Sequence, residues 1–207
     1  ATLAVLPAAR ADLLVTDDSG REIRLKAPAR RIVTLAPHAT EILYAAGAGE
    51  RLVGTVEFSD YPPAAKKIPR VGSYERLDLE AISALQPDLV IAWETGNPAG
   101  QVEKLKALGL TVYASQPNRM EDIAAQLERF GQLAGSEAAA GVAAGQFRRR
   151  LENLRRGNAQ KPPVRVFYEI WTAPLMTVGG PQIISDAIRL CGGENVFGHL
   201  SQMSPTV

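Results

Sequence analysis

The side chains best suited to binding a ligand are four aromatic residues at or just past the ends of predicted strands. They are Phe58, Tyr74, Trp93 and Trp171. In open α/β sheets, ligands sit beyond the carboxyl ends of the strands, and an aromatic face buries a large apolar area at a low entropic cost. The pattern therefore predicts a ligand cleft lined by these rings. The alternative interpretation is that they are ordinary aromatic residues of the core.

The strand that positions Trp93 is the best defined element of the sequence. Leu89–Trp93 is a continuous apolar run, which is typical of a central strand in a parallel sheet covered on both faces. Before it, residues 79–85 carry apolar side chains at helical spacing, and Pro87 marks the end of that helix. Trp93 is therefore expected where a buried strand ends.

Strands and helices alternate along the first half of the chain. The strands are predicted at Leu13–Thr16, Glu22–Leu25, Arg31–Leu35, Leu52–Val56 and Thr111–Ala114, in addition to the run before Trp93. The first two flank a turn-rich segment and predict a β-hairpin, and the others predict parallel strands joined by right-handed crossovers. In the first crossover helix, Thr40 or a neighbour is the expected N-cap, and Gly47 fits the C′ position.

The second half begins with a helical, alanine-rich region from Met120 to about Arg156, with a break near Gly131–Ser136. The part from Glu137 onward would be about 30 Å long at 1.5 Å per residue, which is long enough to bridge two lobes.

After a proline-containing linker, the sequence predicts one strand, Val164–Ile170, with Trp171 at its carboxyl end, and one helix, Gln182–Cys191. One strand and one helix cannot enclose a core, and a strand without a partner exposes both edges. A second lobe that is cut short is therefore expected.

The composition argues against several classes of function. A net charge of +1 gives no reason to expect nucleic acid as a partner. One cysteine excludes an internal disulfide framework, and two histidines are too few for a His-rich zinc site. The sequence contains no Gly-x-Ser-x-Gly elbow, Walker loop or H-E-x-x-H motif. We therefore predict a protein that is not an enzyme and that holds no metal or cofactor, with a Rossmann-like nucleotide-binding enzyme as a distant alternative.

The first eleven residues indicate export. The apolar stretch Ala1–Pro7 is followed by Ala9-Arg10-Ala11, which fits the end of a secretory signal with a cleavage site before Asp12. No segment reaches the roughly 18 apolar residues needed to span a bilayer. A soluble, exported protein is expected.

Five short runs, in one order along the chain, carry a family resemblance. They are RIVTLAP at 31–37, SDYPP at 59–63, LQPDLVI at 85–91, VIAW at 90–93 and CGGENVF at 191–197. Together they resemble the substrate-binding proteins of ABC importers that carry cobalamin, haem and iron-siderophores. SDYPP and VIAW are most similar to the cobalamin-binding members of that family. The similarity extends from about Leu13 to Val207.

The resemblance implies an α/β fold of two Rossmann-like lobes joined by a long helix, the class III architecture of periplasmic binding proteins, with the C-terminal lobe incomplete. The expected division is a signal peptide remnant at 1–11, an N-terminal α/β lobe with a leading hairpin at 12–119, a helical segment with the inter-lobe helix at 120–160, and the start of the C-terminal lobe at 161–207.

The resemblance also implies a function. Such a protein would be a periplasmic monomer that captures a small molecule and delivers it to an ABC permease in the inner membrane. The expected ligand is cobalamin, with haem or a ferric siderophore as alternatives. A non-transport adhesion or sensor module on the same fold stays open.

Several residues acquire roles from this resemblance. Large flat rings such as cobalamin and haem suit aromatic walls, although cobalamin-binding members usually carry tryptophan at the position of Tyr74 and tyrosine at that of Phe58. His38, at a strand-to-helix turn, would touch a ligand amide or propionate or coordinate a haem iron; otherwise it is a solvated loop residue. Tyr61 is assigned to a rigid loop rather than to a contact.

Glu80 is the expected docking residue. It lies near the start of the predicted helix 79–85 and points away from the apolar face of that helix. The resembled family uses an exposed glutamate here, one per lobe, to meet arginines of the permease. The alternative is a glutamate favoured only by the helix dipole.

Overall fold

The described part of the chain is residues 12–207 of a computed structural model. The predicted signal peptide remnant, residues 1–11, lies outside the described residues. The hairpin forms as predicted, with β1 (Leu13–Thr16) antiparallel to β2 (Glu22–Leu25).

Four parallel strands form the central sheet, as the sequence predicted. They are β3 (Ile32–Thr34), β4 (Leu52–Thr55), β5 (Leu89–Trp93) and β6 (Val112–Ser115), in the spatial order β4-β3-β5-β6. The helices of this region are α1 (Pro37–Ala45), α2 (Leu79–Ala84) and α3 (Ala99–Ala107), with short 3₁₀ turns at Gly49–Arg51 and Pro63–Lys67.

Strand β5 is buried on both faces, which explains its continuous apolar sequence. Leu89 and Ile91 pack in a cluster that contains Phe130, whereas Val90 packs in a second cluster with Leu105. Successive side chains of a strand point to opposite faces, so the two clusters lie on opposite sides of the sheet.

The predicted N-cap of α1 is wrong. Thr40 lies inside the helix, and Pro37 occupies the first helical position after Ala36, because proline is already set for the helical φ and its missing N–H is not needed there. The hydroxyl of Thr40 is instead buried between those of Thr34 at 2.7 Å and Thr55 at 2.8 Å. The predicted end is confirmed, since Gly47 has a φ of 78°.

Two helices form a tight hairpin after the sheet. Helices α4 (Met120–Ala134) and α5 (Glu137–Asn158) meet at Gly135, whose φ of 63° ends α4 within the predicted break. Gly131 lies so close to Ala140 that a side chain at Gly131 would overlap its methyl group. Further along, the guanidinium of Arg148 donates hydrogen bonds to Glu121 at 3.0 Å and Glu128 at 2.9 Å.

The C-terminal region differs from the prediction. The elements are β7 (Val164–Val166), β8 (Glu169–Thr172), β9 (Leu175–Thr177), α6 (Ile183–Leu190) and β10 (Gly193–Asn195). The single strand predicted at Val164–Ile170 is wrong, since it is two strands with different partners. β7 pairs in parallel with β10, and β8 pairs antiparallel with β9 around Ala173-Pro174.

The physical reason for this difference is the pairing of each strand. Gly192, with a φ of 81°, ends α6 and returns the chain beside β7, so that β7 is not a strand without a partner. Trp171 lies inside β8 rather than at the end of a strand. Within residues 12–207, no helix is both long enough and apolar enough to cross a membrane.

Candidate functional site

A cleft of about 1330 Å³ opens beyond the carboxyl ends of β5 and β6. One wall comes from the start of α1, the ends of these two strands, and α4. The opposite wall comes from residues 168–170 and the start of α6. The predicted position for a ligand, beyond the carboxyl ends of parallel strands, therefore coincides with a cleft.

Two of the predicted residues, His38 and Trp93, line this cleft. Tyr74 lies beside them, because its ring centroid is 6.2 Å from that of Trp93 at an interplanar angle of 50°. The imidazole of His38 meets the indole of Trp93 edge-on, at 5.6 Å and 82°. The structure thus brings together three of the five residues predicted to bind the ligand.

The other two aromatic residues lie outside the lining of the cleft. Phe58 is 71% exposed and stands three residues past β4, in a turn where its own φ is 64°. Trp171 is 62% exposed, and its indole Nε1 donates a hydrogen bond to the carbonyl oxygen of Ala173 at 3.1 Å. This bond keeps the indole on the β8–β9 turn. Of the four aromatic residues, only Trp93 lines the cleft. Tyr74 lies beside Trp93 without lining the cleft, and the expectation of a common cleft is not met for Phe58 and Trp171.

Several cleft residues were not predicted from the sequence. Tyr61, assigned to a rigid loop, lines the cleft, as do Tyr168, Ile170 and Phe147. For Tyr168 and Ile170 a signal was present, because residues two apart in an extended segment face the same side. Trp171 is one residue out of that period, which explains why it faces elsewhere.

The imidazole of His38 is uncharged at neutral pH. Burial lowers its pKa to about 4, against a smaller opposing effect of the Asp18 carboxylate. Its Nε2 lies 3.3 Å from the hydroxyl oxygen of Ser115 at the end of β6. A neutral ring in an aromatic wall is compatible with an apolar ligand face and keeps a nitrogen lone pair available.

The turn between β1 and β2 holds the end of β6 through hydrogen bonds. The Asp17 carboxylate accepts a hydrogen bond from the backbone N–H of Ala114 at 3.2 Å, and that of Asp18 accepts one from Gln116 at 2.6 Å. Asp18 also pairs with Arg129 of α4. The strand end that carries Ser115 and Gln116 is therefore held between the hairpin and α4.

Glu80 lies away from this cleft. It is exposed in the first turn of α2, whose N-cap Asp78 accepts a hydrogen bond from the N–H of Ala81 at 2.9 Å. Glu80 lines a surface depression of about 630 Å³ together with Glu57 and Arg76. Within residues 12–207, no group of three or more His, Cys, Asp or Glu side chains is arranged to hold a metal ion.

Known proteins resemble this chain in sequence and in structure. A profile of the family described as periplasmic binding protein matches residues 32–206. The vitamin B12-binding protein of Vibrio vulnificus is 43% identical over 181 residues, which cover 87% of this chain and 66% of the relative. The chain thus spans slightly less than two thirds of the length of the curated relatives it matches.

Two solved structures have the same fold. The crystal structure of the periplasmic vitamin B12 binding protein BtuF of Vibrio cholerae matches with a TM-score of 0.80 at 42% identity, covering 87% of this chain and 71% of that one. The periplasmic heme-binding protein RhuT from Roseiflexus sp. RS-1 matches with a TM-score of 0.74 at 25% identity, covering 86% and 70%. The predicted class III α/β fold is confirmed, and the chain belongs to the periplasmic binding protein family.

Proposed function

We propose that this protein is the periplasmic substrate-binding component of an ABC importer and that it captures a corrinoid of the vitamin B12 type. One observation carries the proposal. An aromatic-walled cleft at the carboxyl ends of the sheet occurs in a chain that is 43% identical to a protein named for vitamin B12 binding. The protein acts by binding rather than by catalysis.

The size and lining of the cleft support a macrocyclic ligand. Its volume of about 1330 Å³ exceeds the roughly 300–1,000 Å³ of pockets for smaller molecules. Apolar side chains from both walls face it, among them Ile42, Trp93, Phe147 and Ile170. An aromatic contact contributes about 0.5–1.5 kcal/mol beyond area burial, so a few such contacts on a flat ring would produce substantial affinity.

Haem is the second candidate, favoured by the likeness to RhuT at 25% identity. The uncharged imidazole of His38 has the chemistry of an iron ligand. Its Nε2, however, lies within hydrogen-bond distance of Ser115, and the identity to vitamin B12-binding relatives is higher. These two observations favour the corrinoid.

Delivery requires a partner in the membrane, and we assign docking on an ABC permease to the surface around Glu80. Its carboxylate is exposed, whereas Ile82 of the same helix is fully buried. The depression beside it offers two further exposed carboxylates, those of Glu57 and Asp78, beside the single guanidinium of Arg76. Such a surface complements arginines on a partner, and charge complementarity of this kind mainly raises the association rate.

Calorimetric titration of the protein with cyanocobalamin and, separately, with haemin tests the ligand assignment. We expect saturable heat with cyanocobalamin at a stoichiometry of one. Saturable binding of haemin alone would refute the corrinoid and support the haem alternative. Binding of neither would refute both.

A further inference from the structure

The chain turns sharply directly after β5. The backbone N–H groups of Gly96 and Asn97 both donate hydrogen bonds to the carbonyl oxygen of Trp93, at 3.3 Å and 3.0 Å. The turn therefore folds back on the residue whose indole lines the cleft. It brings Gly96 and Asn97 beside that residue.

The side chain of Asn97 joins three segments of the chain at this point. It is 6% exposed. Its Oδ1 accepts a hydrogen bond from the backbone N–H of Trp93 at 2.7 Å, while its Nδ2 donates to the carbonyl oxygens of Leu35 at 2.9 Å and Tyr74 at 3.1 Å. Only an amide supplies an acceptor and two donors from one short side chain. Asn97 thus holds Trp93 and Tyr74 in register with the end of β3.

The indole of Trp93 packs directly against the backbone at Gly96. A Cβ placed on Gly96 would overlap the ring atoms Cδ2, Cε3 and Cζ3 of Trp93. The φ of Gly96 lies outside the left-handed region, so glycine is required here by the close approach of the ring and not by the backbone conformation. Because the ring rests directly on the backbone, the absence of a side chain decides where the ring lies.

The indole of Trp93 is only partly buried, and it packs against the core cluster that contains Phe130. Trp93 lines the cleft of about 1330 Å³ and also a second cavity of about 290 Å³, which Asn97 and Val102 share. A residue between two open spaces has fewer packing partners than a core residue. The rings of His38 and Tyr74 meet the indole at interplanar angles of 82° and 50°, so neither stacks flat on it.

We propose that Gly96 and Asn97 act as a clamp that fixes the Trp93 indole, and with it Tyr74, in the orientation that receives the ligand. This clamp rests on the proposed function, since it deepens the description of the same site. Gly96 sets the position of the ring, and Asn97 sets the position of the backbone that carries it. Both are positioning residues, because they act through Trp93 and Tyr74.

The test compares Gly96→Ala with Gly100→Ala, since a Cβ at Gly100 of α3 would meet nothing within 4 Å. All proteins carry Trp171→Phe, including the reference, so that Trp93 is the single remaining tryptophan of the two. Near-UV circular dichroism of the ligand-free protein then reports the environment of the Trp93 indole. Calorimetry with cyanocobalamin reports the affinity.

We expect Gly96→Ala to change the near-UV tryptophan band and to raise the Kd by about tenfold, a smaller loss than that at a binding hot spot. Gly100→Ala should match the reference in both measurements. An unchanged band, or a changed band with unchanged affinity, would overturn the clamp. If the reference protein binds no cyanocobalamin, the proposed function falls, while the near-UV comparison still decides whether Gly96 fixes the ring.

Asn97→Asp supplies a second test of the same clamp. The carboxylate keeps the acceptor for the N–H of Trp93 but faces the carbonyl oxygens of Leu35 and Tyr74 without a donor. We expect the near-UV band to change in this variant too, together with weaker binding of cyanocobalamin. A variant with the band and affinity of the reference would remove Asn97 from the clamp. Should Asn97→Asp fail to fold, Gly96→Ala alone decides the outcome.

Discussion

Replacing Trp93 by alanine separates a ligand-binding indole from a core residue. Trp93 is only partly buried and lines the cleft, so its removal should act mainly on binding. Loss of a buried aromatic anchor costs roughly 1–3 kcal/mol of binding free energy, which raises the Kd by about 5- to 150-fold. In a core, a Trp→Ala substitution instead costs about 3–5 kcal/mol of folding free energy. We expect a loss of stability well below that range.

The assay pairs calorimetric titration with cyanocobalamin and urea unfolding of the ligand-free protein. Phe130→Ala is the matched control, because Phe130 is fully buried and packs edge-on against Tyr113 at 5.5 Å. The control should lose about 3–5 kcal/mol of stability, and its folded fraction should keep its affinity. Unchanged affinity with a large loss of stability in Trp93→Ala would refute our reasoning and place the indole in the core.

Three further predictions follow from other parts of the structure. Glu80→Ala should leave ligand affinity intact and weaken association with the permease, more at low salt than at high salt; pull-down at several salt concentrations measures this. Thr55→Val should lower the free energy of unfolding by about 1–3 kcal/mol, because the buried hydroxyl of Thr55 is bonded to Thr34, Thr40 and Ser59. Burial by itself would raise the pKa of Asp17, but hydrogen bonds from Ser19, Arg21 and Ala114 bring it below its ordinary value of 3.8. Its contribution to stability is therefore complete above pH 3.8 and is lost as the pH falls further, so Asp17→Asn should flatten the acid side of a urea-unfolding profile.

Each of these three has a result that contradicts it. For docking, the control is Glu50→Ala, an exposed glutamate outside the depression, and equal complex formation by both variants at every salt concentration would exclude Glu80. For the hydroxyl cluster, the control is Thr16→Val on an exposed position of β1, and equal stability of the two variants would show that the buried hydroxyl contributes nothing. Parallel acid profiles of Asp17→Asn and the unchanged protein would assign the pH dependence to other carboxyl groups.

The sheet was predictable because its sequence signals are local. The run Leu89–Trp93 is apolar throughout since β5 is covered on both faces. A strand buried on both faces can therefore be recognised from its uninterrupted apolar sequence. The C-terminal strands were not predictable in the same way. β7 pairs with a strand 29 residues away, from Val164 to Gly193, and no local pattern specifies a partner at that distance. The segment 164–170, rich in β-branched and aromatic residues, therefore indicated extended chain but not the break within it.

The same difference between local signals and distant contacts decides which residues of the candidate site were predictable. Trp93 was predictable because it directly follows a buried run, and the end of that run fixes its place on the sheet. Phe58 was not predictable, since it lies in a turn after β4 and its own φ is positive. The direction of a side chain in such a turn depends on contacts outside the local sequence. Asn97 was missed for a further reason. Its three hydrogen-bond partners come from three separate segments, so its role exists only in the folded chain.

The helix hairpin α4–α5 has a kinetic consequence for ligand capture. The close approach of Gly131 to Ala140, and the bonds of Arg148 to Glu121 and Glu128, hold the two helices together at several points along their length. The carboxylate of Asp186, in α6 of the far cleft wall, accepts a hydrogen bond from the N–H of Met120 at 2.8 Å. A ligand then enters a cleft whose width is already set. For the corrinoid binding proposed above, we therefore expect an association rate set by diffusion and orientation rather than by closure of the walls. Differences in affinity between corrinoids should then be expressed as differences in residence time.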